Sequence, residues 1–133
     1  MSQPPSTART GGRVNIAFTE AAEEAARRLV NRFPFAALVD TARVGAAFAL
    51  REGMSLSRPE DFGPANGSNF NVGSVDPGGD LRDLLVALHP QIQEDPYRVL
   101  ETLMSQGVLA IDERVASGEI LSLRDLMGVE IST

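Results

Sequence analysis

Between Arg13 and Thr19 the side chains alternate, so that Val14, Ile16 and Phe18 fall on one face of an extended segment and Arg13, Asn15 and Ala17 on the other. The spacing then changes. From Glu20 onward Ala22, Ala25, Ala26, Leu29 and Val30 recur at three- and four-residue steps, which predicts a helix with a narrow apolar stripe. Thr19 supplies an N-cap hydroxyl, and Glu20, Glu23 and Glu24 sit where the helix dipole is positive. Pro34 pushes the preceding residue out of helical geometry and ends this element. A second helix is expected from about Ala36 to Arg51. Leu38, Val39, Ala42, Ala46, Phe48, Ala49 and Leu50 make it apolar over most of its circumference, so it must be covered on more than one side.

The region from Gly53 to Gly79 holds six of the twelve glycines together with Pro59, Pro64 and Pro77, a composition of turns rather than helix. Phe62, Phe70, Val72 and Val75 are too apolar for a free linker, so the loop is expected to pack, with 70–75 extended. Asp80 then opens a helix in which Leu81, Leu84, Leu85 and Leu88 form a stripe ending at His89-Pro90. Asp95-Pro96 starts the longest helix, carried by Tyr97, Leu100, Leu103, Met104, Val108, Ile111 and Val115 to Gly118, with Gly107 placed to kink or split it. Ser122 and Asp125 cap a short last helix that Gly128 terminates. The expected architecture is mainly α. A disordered arm (1–12) precedes a strand-helix-helix dimerisation module (13–53). A Gly/Pro-rich connecting loop (54–79) and a helical, partner-binding extension (80–133) follow.

A lone strand has two open edges and no sheet partner. Pairing Val14–Phe18 with the same strand of a second copy would satisfy the backbone and cover the apolar face together. Val14, Ile16 and Phe18 are then the expected dimer interface. Strand, helix, turn and helix within about forty residues, with Val14, Ile16 and Phe18 inward and Arg13 and Asn15 outward, resembles the ribbon-helix-helix family of small bacterial DNA-binding proteins. The resemblance covers less than a third of the chain. It implies a homodimeric ribbon in the major groove, where Arg13 would read guanine, Asn15 adenine, and Ala17 a thymine methyl. Arg9 on the arm could reach the backbone, although a plain solvated terminus outweighs that reading. Phe35-Ala36-Ala37 departs from the family in offering no hydroxyl at the start of the second helix.

Charge sharpens this division. Met1–Gly53 carries seven arginines against five acids, net +2, and Met54–Thr133 carries five against thirteen, net −8. An acidic total therefore leaves DNA binding open to the N-terminal half, and the acidic helices are expected to meet a protein partner. Candidate chemistry changes the picture little. With 133 residues and 43% apolar content the chain has the size of one ordinary domain. Cysteine and lysine are absent and His89 is the single histidine, so no catalytic, metal or cofactor set is expected. Asp76-Pro77-Gly78-Gly79-Asp80 reads as a turn into a helix cap rather than a calcium loop. Without a secretory pattern or a long apolar run, a cytoplasmic protein with no membrane contact is expected. Two functions follow: a dimeric DNA-binding regulator or the DNA-recognition subunit of a larger assembly, or a non-catalytic adaptor that dimerises without DNA.

Overall fold

A computed structural model of the chain describes residues 14–92 and 94–127. The protein is mainly helical. Its elements are β1 (Asn15–Ala17), α1 (Glu20–Arg32), α2 (Leu38–Arg51), β2 (Asn69–Asn71), the helical turn α3 (Val72–Val75), α4 (Asp80–Leu88), α5 (Pro96–Ala116) and α6 (Leu123–Met127). As the sequence predicts, the Thr19 hydroxyl caps α1 by accepting the Ala22 N–H at 3.1 Å. α1 stops before Pro34, and α5 opens on Asp95, whose carboxylate accepts the Tyr97 N–H at 2.8 Å. No hydroxyl opens α2; instead the Asp40 carboxylate accepts the Ala37 N–H at 3.0 Å.

The strand pairing corrects an expectation. β1 pairs antiparallel with β2 of the same chain, Ile16 opposite Phe70, in place of a second copy of itself. Its other edge is also occupied: the Glu101 carboxylate accepts the Ala17 N–H at 2.8 Å and the buried Ser105 hydroxyl accepts the Thr19 N–H at 3.2 Å. Both edges are therefore used within one chain. Ile16 and Phe18, assigned to a dimer interface, are buried in the chain's own core, and Val14 is partly buried, with its carbonyl accepting the Val72 N–H. Phe18 meets Phe70 edge to face, ring centroids 5.6 Å apart, an arrangement aromatic rings favour. The connecting loop supplies this partner strand. Of the expected extended run 70–75, only its first two residues belong to β2, while Val72–Val75 coil into α3, capped by Asn71.

The core is one cluster running from Ile16 to Leu126, so it draws on both sides of Gly53. α5 is its axis and packs most extensively on α2, then on α1. The small buried residues Ala22, Ala25 and Ala26 on α1, and Ala42, Ala46 and Ala49 on α2, let the backbones come close. Closest is the crossing of α2 and α5 at Gly45 and Gly107, where a methyl built on Gly107 would overlap the Gly45 carbonyl. Gly107, expected to kink or split the long helix, interrupts nothing: α5 is continuous and the glycine serves the crossing.

A carboxylate ties the loop to α1. Glu23 accepts hydrogen bonds from the Ser68 N–H and, at 2.8 Å, the Ser68 hydroxyl, and pairs with Arg27 at 2.6 Å. These bonds, Ser68 first and Arg27 next, hold the Glu23 carboxyl below its ordinary value of 4.5. A depressed carboxyl contributes stability in full above its unfolded value and loses it as pH falls through the folded one. Glu23→Gln should therefore cost up to about 1 kcal/mol near neutrality, given solvent screening, and flatten the decline of stability below about pH 4.5. Urea melts of both proteins across that range check this; parallel curves would refute the latch.

Candidate functional site

Of the residues proposed from the sequence to read DNA, Asn15 and Ala17 are described, and they do not share one exposed face. Arg9 and Arg13 lie outside the described residues. Asn15 is exposed, but Ala17 is only 7% exposed and its N–H is bound by Glu101, so it cannot reach a base. The described N-terminal arginines are engaged elsewhere. Arg27 pairs with Glu23, and Arg28 with Asp112 at 2.8 Å. Arg43 donates to the Val75 and Ser74 carbonyls, Arg51 pairs with Glu52 at 3.5 Å, and Arg32 donates to the Leu121 carbonyl. The described arginines of the positive half thus lie against acids and carbonyls while their side chains stay largely exposed.

The feature that stands out from this packing is α4 and the turn before it. Asp76 is 5% exposed, and its two carboxylate oxygens accept the Leu81 and Arg82 N–H groups at 2.8 and 3.0 Å. Those amides belong to the first turn of α4, which has no partners of its own for them, so a buried anion there is matched by the helix dipole. The expected turn into a helix cap is present, but Asp76, four residues upstream of Asp80, is the capping group. Gly78 and Gly79, at φ 81° and 78°, supply the left-handed backbone that brings it round. The Tyr97 hydroxyl of α5 lies 3.4 Å from Asp76. Burial, and then the Asp76 charge, push this hydroxyl above the ordinary tyrosine value, so it remains a donor. Val72, Gly73, Asp76, Gly78, Arg82 and Tyr97 enclose a cleft of about 250 Å³.

So anchored, α4 buries one side chain fully, Leu85, while Leu81 is half-buried. Leu84 and Leu88, one helical turn apart and so on one side, are 45% and 53% exposed, with exposed Ala87 between them. The sequence shows four leucines as one inward stripe; the structure turns half of them outward. Beyond Leu88 the chain turns through His89, whose carbonyl accepts the Ile92 N–H, into a second cleft of about 280 Å³ lined by Leu56, Ile92, Glu94 and Val99. His89 closes the α4 C-terminus, its N–H donating to the Leu85 carbonyl.

Among the described residues no group of three or more His, Asp or Glu side chains could hold a metal ion, and no helix is long and apolar enough to cross a membrane. Comparison of the chain with protein-family models, with curated proteins and with solved structures finds no match.

Proposed function

We propose that the chain is a non-catalytic interaction module, an adaptor whose N-terminal elements build the scaffold and whose acidic helical half recruits a protein partner. The observation that carries this reading is the outer face of α4, where leucines stand exposed on a helix that a buried carboxylate fixes in place. Rigid presentation suits recognition, because little ordering entropy is spent on binding. Scattered exposed leucines are ordinary, but two on one turn, with a partly apolar cleft after them, make a patch.

The ribbon-helix-helix reading, with Arg13 and Asn15 on bases, requires β1 to leave β2 and its α5 contacts and to pair across a two-fold axis. Against it stand the pairing of β1 with β2 and the Glu101 carboxylate on the Ala17 N–H at the other edge. It is supported by the net +2 charge of residues 1–53 and, among the described residues, by exposed Asn15 at the strand start.

Titration of fluorescent duplex DNA at about 50 and 200 mM salt separates the two, because phosphate contacts make affinity fall steeply with salt. The adaptor reading predicts no salt-dependent binding and no effect of Arg13→Ala. Steep salt dependence with a loss of about 1 to 3 kcal/mol in the variant would install the DNA reading in its place.

A further inference from the structure

We infer that the outer face of α4 docks a basic amphipathic helix of a partner protein, with Leu84 and Leu88 as its anchors. This rests on the adaptor reading above and gives that reading an address. Leu84 and Leu88 sit four residues apart, the spacing at which two helices crossing or lying side by side exchange apolar contacts. The cleft after Leu88, lined by Leu56, Ile92 and Val99 together with Ser57, Gln91 and Glu94, offers room for a further side chain with an apolar stem and a basic end.

Charge chooses the occupant. Residues 76–95 contain five acids against one arginine, net −4; Asp80 and Asp83 are exposed on the same helix as the leucines, and Glu94 and Asp95 are exposed in the segment that follows it. The arginine, Arg82, is already paired with Asp83 at 3.1 Å. An acidic rim around an apolar centre fits a partner of opposite pattern, leucine-type anchors flanked by Lys or Arg. The same rim opposes two alternatives. A second copy would set like charge against like across the two-fold axis, in a chain that carries net −6. An anionic lipid surface would be repelled.

The test uses the isotopically labelled full chain and two short helical peptides of equal length, one built from Leu and Lys and the other from Leu and Glu. The Leu/Lys peptide should shift the amide resonances of α4 and bind more weakly as salt rises, and the Leu/Glu peptide should not bind. Leu84→Ser with Leu88→Ser should weaken the Leu/Lys peptide at least about tenfold. Because both side chains are half-exposed, the double variant should keep its melting temperature close to wild type. Equal affinity for both peptides, shifts centred on another surface, or an unaffected double variant would overturn the proposal. So would a wild-type dimer in sedimentation that the double variant dissociates, which would mean that a second copy covers the face. A partner isolated at fixed stoichiometry that still binds the double variant would overturn the α4 assignment and leave the adaptor reading standing. Salt-dependent DNA binding lost in Arg13→Ala would instead remove the adaptor reading itself.

Discussion

Gly107→Ala should lower the unfolding free energy by about 3 kcal/mol or more, at the upper end of what overpacking costs. In most helices the same change is favourable by up to about 1 kcal/mol, because alanine has the better helical propensity and restricts the unfolded chain. The crossing reverses the sign. A methyl on Gly107 would overlap the Gly45 carbonyl, and that obstacle is backbone, which cannot rotate aside as a side chain can. α2 and α5 would have to separate, and every buried contact between them would loosen. Gly45→Ala should act in the same direction, since its methyl would lie 2.7 Å from both the Met104 carbonyl oxygen and a Val108 methyl. Ala47→Gly, on the exposed side of α2, should follow the ordinary propensity rule and cost about 1 kcal/mol. Urea unfolding followed by circular dichroism measures all three. A Gly107→Ala protein as stable as wild type would mean that the two helices do not cross there.

Asp76→Ala should cost about 2 to 3 kcal/mol, the range for losing hydrogen bonds to a charged, buried acceptor. Two first-turn amides of α4 and the Tyr97 hydroxyl lose their partner together. Asp76→Asn keeps one acceptor oxygen in place and should cost about half as much. Beyond global stability, hydrogen exchange at Leu81 and Arg82 should accelerate in the alanine variant, because their N–H groups are then free to meet water. Unchanged protection at those two amides would show that another group caps the helix. Since the apolar face of α4 depends on this anchor, Asp76→Ala should also weaken the Leu/Lys peptide, whereas Leu84→Ser with Leu88→Ser should weaken it without loss of stability.

Elements governed by local chemistry were legible in the sequence. Thr19, Pro34, Asp95-Pro96 and the Ser122/Asp125 pair mark helix ends, and the structure places helix boundaries within a few residues of each. Pairings between distant residues were not legible. An alternating run at Val14–Phe18 records that one face is apolar, but nothing in it says whether its partner is Asn69–Asn71 or another chain. The aromatic content of the loop was the available signal, since Phe70 needed burial that Phe18 could supply. The role of Gly107 was hidden for the same reason: its meaning lies in Gly45, far away in sequence. The side chains that anchor β1, Glu101 and Ser105, look like an ordinary solvated acid and a helix serine until the fold brings them to Ala17 and Thr19. On α4 the leucine stripe was visible, but the share of it that the core uses depends on how α4 tilts onto α5, which spacing alone does not record.

The reliance of β1, α1 and α2 on α5 also bears on synthesis. As the chain leaves the ribosome, the first strand and two helices emerge before β2, and well before the long helix that fills the gap between them. Until then Ile16, Phe18, Leu29 and Phe48 have little to lie against. Domains completed by late, long-range contacts expose apolar surface for longer during translation, so the yield of native chains is expected to depend on elongation speed and on a holding chaperone.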